Sequence, residues 1–270
     1  MAWRAVISRS PPSFHSVDST LTEIPAFTPM HLSIVIPAFN EELLILDCLN
    51  SIQESVNANQ KPGFTHEVIV VDNNSTDRTA KLATQAGAKV VFEPINQIGR
   101  ARNTGAAAAT GDWLLFVDAD SLLNPGMVAD ILHMIEGGKH VGCGSVMHMP
   151  NLPWWGNAAM QLWTAFSVIF RWASGALVVC RTDAFRDVGG FNQELFAADE
   201  IDLSQLLKQW GRKRGLKFTI LTRHPLVTSP RKVLLYTGRE IAGQIFSVLF
   251  SPRKTLQDKK KLPIWYDGRR

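Results

Sequence analysis

Cysteine is scarce in this 270-residue chain, and its three copies, Cys48, Cys143 and Cys180, stand far apart. No Cys-x-x-Cys pair and no metal-ligand spacing occurs among them, so they build neither a disulfide framework nor a zinc site. Cys143 and Cys180 lie in apolar or glycine-rich stretches and are expected to be small core residues in a reducing compartment. No run reaches the roughly 18 uninterrupted apolar residues that a membrane-spanning helix needs. No apolar segment of signal-peptide length opens the chain. Charge is also thin, at 19% of residues with a net +4, which is too mild to argue for a nucleic-acid partner. No tandem repeat is visible. The expected location is the cytoplasm.

Apolar residues are plentiful. They make up 46% of the chain, enough for a sizeable core and against general disorder. The length suits one large α/β domain or two small ones. Residues 1–30 carry clustered proline and serine (Ser10-Pro11-Pro12-Ser13) without a period and read as a loose leader. From residue 31 an alternation sets in. Leu32–Ile36, Val68–Val71, Lys89–Phe92 and Trp113–Val117 read as buried strands. Between them, residues 41–56 show helical spacing at Leu43, Leu46, Leu49, Ile52 and Val56. Residues 77–86 and an Ala-rich segment over 99–109 also read as helices. Strand and helix in short alternating units predict an α/β fold, a mainly parallel sheet with helices on both faces. Farther along, Ser174–Cys180 reads as another strand and Asp199–Trp210 as a helix.

Ligands in such sheets bind beyond the carboxyl ends of the strands, and two strand ends here carry polar clusters. Asp118-Ala119-Asp120 can turn both carboxylates to one side, a hard oxygen pair suited to Mg2+ or Mn2+ on a diphosphate. The same residues also suit a turn, with Asp120-Ser121 capping the helix that Asn124-Pro125 starts. Asp72 heads Asp72-Asn73-Asn74-Ser75-Thr76-Asp77. It suits a nucleotide base or ribose, or else a turn in which Thr76 or Asp77 caps the next helix. Arg100 and Arg102 can neutralise a diphosphate at a helix N-terminus, or lie on a solvated helix face. Asp199 and Asp202 fit a helix-capping pair. His224, one of seven histidines, is a lone histidine of the kind usually structural.

Taken together, these pieces resemble glycosyltransferase family 2 over roughly residues 31–230. Ser33–Glu42 is similar to the family's opening strand and nucleotide loop, and Val70–Asp77 to its second nucleotide contact. Asn96–Gly105, Gly111-Asp112-Trp113 and Asp118–Asp120 follow at family-like spacing. Ala173–Ala176 and Gly189–Asn192 resemble the acceptor-side strand and loop, and Asp199-Glu200-Ile201-Asp202-Leu203 falls where the family has Glu-Asp-x-Asp-Leu. The resemblance implies a GT-A type, Rossmann-like fold and inverting transfer from a nucleotide-diphosphosugar to an acceptor hydroxyl. It implies a nucleotide half at 31–120, an acceptor half at 121–250 and a basic tail at 251–270. Pro37, Phe39, Asn40, Glu41, Asp72, Arg100, Arg102 and Asp118 would bind the sugar nucleotide, with Phe39 beside the base. Asp118, Asp120 and, more loosely, His224 would hold Mn2+ or Mg2+.

Glu200 would be the base by position, with Asp199 beside it to cap or orient, although here the family's Glu-Asp order is reversed. A nucleotidyltransferase is the rival enzyme, but the Pro37–Glu42 loop has neither the glycine nor the lysine of its phosphate loop. A non-catalytic nucleotide-sugar-binding domain would require the 199–202 carboxylates to be mere caps. Residues 152–172, with Trp154, Trp155, Trp163, Phe166, Phe170 and Trp172, suit packing around an acceptor pocket. Together with the basic tail they equally suit a peripheral membrane face that meets a lipid-linked acceptor.

Overall fold

The computed structural model describes residues 29–173, 175–237, 240, 243 and 255–263. The leader over 1–28, Ser174 and most of the chain after 237 lie outside the described residues. In chain order the elements are β1 (Met30–Ala38), α1 (Ile45–Asn57), β2 (Phe64–Asp72), α2 (Thr79–Gln85), β3 (Lys89–Phe92), α3 (Ile98–Ala108), β4 (Trp113–Val117) and β5 (Ser121–Leu122). They continue with α4 (Pro125–Glu136), β6 (His140–His148), α5 (Trp154–Phe170), β7 (Leu177–Arg181), α6 (Thr182–Asp187), α7 (Asp199–Arg212), β8 (Lys217–Thr228) and α8 (Arg231–Leu234).

One eight-stranded sheet runs β3-β2-β1-β4-β7-β6-β8-β5. Strands β3, β2, β1 and β4 pair in parallel, with Ile34 opposite Val68 on one side and Leu115 on the other. Being covered on both faces, β1 and β4 are apolar nearly throughout rather than alternating. Strand β7 runs against both β4 and β6, and β5 runs against β8. The expected α/β class with a mostly parallel sheet therefore holds, and the reversal at β7 is an addition to it. One core cluster joins α1 and α4 to one face. The other joins α3, α6 and α7 to the opposite face.

Several expectations shift in detail. The buried stripe of α1 is Ile45, Cys48, Leu49, Ile52 and Val56, while Leu43 lies outside the helix and is exposed. Burial thus follows the i, i+3, i+4, i+7 rows from Ile45, and Leu43 and Leu46 are not on them. Asn124, not Asp120 or Ser121, caps α4: its Oδ1 accepts from the Met127 amide at 2.9 Å, with Pro125 in the first turn. Strand β7 begins at Leu177, and β6, with three glycine or serine residues in its middle, was not visible as a strand. All three cysteines are buried and free, and burial pushes their thiols up.

Helix α3 comes very close to the sheet because Gly105 has no side chain. A Cβ there would stand 2.3 Å from Val35 Cγ1 and 2.8 Å from Val71 Cγ2. Gly105→Ala is expected to destabilise the fold. Overpacking of about 1–3 kcal/mol outweighs the roughly 1 kcal/mol that alanine gains in a helix. Urea or thermal melts read this directly, and an unchanged or raised midpoint would contradict the close packing.

Candidate active site

The carboxyl ends of β1, β2 and β4 open on the same side of the sheet, and the N-terminus of α7 faces them across α3. The residue that joins these parts is Arg102, fully buried on α3. Its Nη1 donates to Glu200 Oε1 at 2.8 Å and to Asp199 Oδ2 at 3.2 Å. Its Nη2 donates to Asp118 Oδ1 at 2.9 Å and to the Gly175 carbonyl at 3.0 Å. The guanidinium also stands over the Phe191 ring, 5.1 Å from its centroid. Burial disfavours the Arg102 charge, but Glu200, Asp118 and Asp199 together outweigh it and raise its pKa, so the cation persists. It neutralises the protein's own carboxylates rather than lying open to a diphosphate. Arg100 is likewise turned aside, with Nη1 on Gln193 Oε1 at 2.9 Å and Nε near Glu93.

Asp199 and Glu200 differ in their surroundings. Asp199 is 1% exposed and Glu200 9%. Burial, and then the neighbouring Glu200 charge, push the Asp199 carboxyl up to about 8, against the pull of Arg102. Asp199 therefore holds its proton more tightly than an ordinary aspartate. Neither residue caps α7: the N-cap is Ala198, in left-handed backbone at φ 61°, and no side chain bonds there. The capping role expected of Asp199 is thus withdrawn, because its carboxyl faces inward to Arg102 instead of back to the free amides.

The nucleotide-side loops are tied to one another. Asn40, at φ 52°, accepts at Oδ1 from the Thr76 amide at 2.8 Å, and its own amide donates to Ser75 Oγ at 3.0 Å. Asp72 Oδ1 accepts from the Ser75 amide at 3.0 Å and so closes the turn that follows β2. Asp77 Oδ1 accepts from the Thr79 amide at 2.9 Å, but the N-cap of α2 is Arg78, so neither Thr76 nor Asp77 caps that helix. Glu41 is buried and takes a two-point contact from Arg231 Nη2, at 2.8 Å to each oxygen. This contact holds the β1 loop to the end of β8. Pro37 is buried within β1, and Phe39 is half-buried just beyond it.

Asp118 and Asp120 both emerge past β4. Asp120 lies beside the end of β8: its carbonyl accepts from the Ser229 amide at 3.0 Å, and its Oδ1 is 3.4 Å from the Thr228 and Ser121 hydroxyls. His224 does not join them. Its Nδ1 pairs with Asp130 Oδ2 at 2.9 Å on α4, packed against Gly126. It is also five residues up β8 from Ser229, roughly 15 Å of extended chain. Among the described residues no group of three or more His, Cys, Asp or Glu side chains gathers for a metal. Two carboxylates alone fit Mg2+ or Mn2+, which commonly take one or two carboxylates and complete their shell with water and substrate phosphates.

Arg231, Thr228 and Ser229 were missed in the sequence. A single arginine or hydroxyl after a strand carries no pattern, and only the pairing of Ser121 with Thr228 across β5 and β8 brings them in.

A mostly parallel sheet flanked by helices is the GT-A type fold, and solved structures share that fold. A Pyrobaculum calidifontis mannosyltransferase in complex with GDP-Man and Mn2+ superposes with TM-score 0.61 at 19% identity, over 91% of this chain and 66% of that one. Residues 1–349 of TarS from S. aureus, in complex with UDP-GlcNAc, give 0.59 at 20% identity, over 89% and 74%. The family model described as Glycosyl transferase family 2 matches residues 33–185, and the chain belongs to that family. The matched segment contains Arg102, Asp118 and Asp120 and stops before Asp199. A Mycobacterium tuberculosis glycosyltransferase is 31% identical over 123 residues, 46% of this chain and 52% of its own length. The glucosyl-3-phosphoglycerate synthase of Mycolicibacterium smegmatis is 35% identical over 127 residues, 39% of each. The matches thus span about half or less of these relatives.

The buried proton on Asp199 has a signature in stability. The folded chain keeps that proton between the ordinary value of 3.8 and about 8, where the unfolded chain has lost it. Its contribution is therefore complete below the lower value and lost as pH rises through the upper one. Asp199→Asn removes the titration. Relative to the variant, the wild type should lose melting temperature steadily from about pH 4 to about pH 8. Parallel curves would show that Asp199 is not protonated in the fold.

Proposed function

We propose that this protein transfers a sugar from a nucleotide-diphosphosugar to an acceptor hydroxyl with inversion, using Glu200 as base. The observation that carries the reading is the Arg102 cluster, which sets Asp199, fully buried and with its pKa raised, beside a less deeply buried Glu200 opposite the Asp118–Asp120 strand end. Family membership and the nucleotide-sugar complexes of the structural neighbours support the reaction class. The nucleotide lies along the β1 and β2 ends, with Phe39 against the base and Asp72 as hydrogen-bond acceptor. Asp118 and Asp120 would hold Mn2+ or Mg2+, which supplies positive charge that stabilises the departing diphosphate.

Glu200 takes the proton from the acceptor hydroxyl. The hydroxyl oxygen then bonds to the anomeric carbon from the face opposite the diphosphate, and the bond from that carbon to the phosphate oxygen breaks. The nucleoside diphosphate leaves with the electron pair. Arg102 keeps one Glu200 oxygen fixed, and Asp199, neutral, adds no second negative charge beside the base. The buried position of Asp199 keeps it from an acceptor, so the longer Glu200 side chain is the one that reaches.

Nucleoside diphosphate release from a panel of UDP- and GDP-sugars, with Mn2+ and acceptors, tests this. Glu200→Gln should lower turnover by roughly 100-fold or more with donor affinity nearly unchanged, and Asp199→Asn should cost far less. Asp120→Ala should abolish transfer while the melting temperature holds. A fully active Glu200→Gln enzyme, or full wild-type activity in excess chelator, would refute the corresponding role.

A further inference from the structure

Helix α5 is turned inside out relative to an ordinary surface helix. Trp154, Leu162, Phe166, Ile169 and Phe170 are exposed, Ile169 at 70% and Trp154 at 82%, while the buried positions are Gly156 and Ser167. At about 100° per residue the exposed apolar positions fill one continuous arc, nearly half of the circumference. No charged residue occurs between Trp154 and Phe170. An apolar face of this size facing water marks an interaction surface.

A second feature begins where this helix ends. Its C-cap, Arg171, borders a cleft of about 590 Å³ that Lys208, Arg212 and Lys217 also line, and no carboxylate does. Lys208 ties the two together, its Nζ donating to the Phe170 carbonyl at 2.9 Å. Burial, and then Arg171, lower the Lys208 pKa, as expected of cations gathered without a counter-charge. The described part of the basic tail lies elsewhere. The Phe196 amide donates to the Leu256 carbonyl at 2.7 Å, and Lys259 Nζ donates to the Asn96 carbonyl at 3.2 Å. The cations beside α5 therefore come from α7 and β8, not from the described tail residues.

We propose that α5 and the cleft at its end form the face by which this protein lies on an anionic phospholipid surface. The apolar arc enters the headgroup boundary, and Arg171, Lys208, Arg212 and Lys217 meet lipid phosphates. Among the described residues no helix is long and apolar enough to cross a membrane, so α5 lies in the surface plane. Lys208 is nine residues along α7 from Asp199, about 13 Å, so the cleft is separate from the transfer site and the proposal is independent of the reaction.

Flotation of the full chain with phosphatidylcholine vesicles, with and without phosphatidylglycerol, tests it. Wild type should float with the anionic vesicles at low salt, bind neutral ones weakly and detach as salt rises. The double variant Arg212→Gln/Lys217→Gln should bind on the order of thirty-fold more weakly. Ile169→Asp should bind weakly too, with its melting temperature unchanged. Absence of flotation, or flotation of either variant equal to that of the wild type, overturns the proposal. So does a dimer that Ile169→Asp splits, because the face then belongs to a second copy. A fall in the melting temperature of Ile169→Asp overturns it as well, because the chain itself then covers the face. Stabilisation by inorganic phosphate without flotation would reduce the cleft to a free-anion site and refute the membrane reading.

Discussion

A single buried guanidinium holds the site together. Arg102 lies beneath Asp118 from β4 and beneath Asp199 and Glu200 from α7, and it also binds the Gly175 carbonyl ahead of β7. Three carboxylates in this space repel one another, and without the cation each would be driven to protonate or to turn to water. Loss of one partner from such a buried group typically costs about 3–5 kcal/mol, because a charge is left uncompensated. The arrangement therefore does two jobs with the same contacts. It closes the gap between the two halves of the chain, and it divides the charge unequally between neighbouring acids.

The sheet topology makes that arrangement possible. Because β7 runs against β4, the chain enters β7 from the end where β1, β2 and β4 finish. The Gly175-Ala176 backbone thus arrives beside Asp118, whose amide donates to the Ala176 carbonyl at 3.2 Å. A strictly parallel β7 would start at the opposite edge, and the loop before it would contribute nothing here. On the nucleotide side, Asn40 joins the loops after β1 and β2, and Arg231 joins the β1 loop to the end of β8 through Glu41. The site is framed by side chains that read one another's backbone, so its walls are formed before any ligand arrives.

The first half of the fold was legible because each strand is an unbroken apolar run ending in polar residues, and each helix keeps its period. The second half was harder. In β6 the run Gly142-Cys143-Gly144-Ser145 has little β-propensity, and it is a strand only because β7 and β8 flank it. At the site, Asp118, Asp120, Asp72 and the 199–200 pair could be singled out, since carboxylates past buried strands are conspicuous. Their partners could not. That Arg102 is buried among acids, that Glu41 meets a residue 190 positions away and that His224 faces Asp130 instead of Asp120 are matters of tertiary distance, to which local spacing is blind. The outward face of α5 was visible as aromatic density, but its orientation was not.

Ala198 carries a further meaning. An alanine in left-handed backbone costs about 1–2 kcal/mol, and here no cap bond offsets it. The residue acts as a cocked hinge, bending the chain so that the first turn of α7 presents Asp199 and Glu200 inward rather than along the helix axis. The strain is tolerated because Arg102 holds both carboxylates on the far side. Durability and aim are thus set against each other at one backbone position.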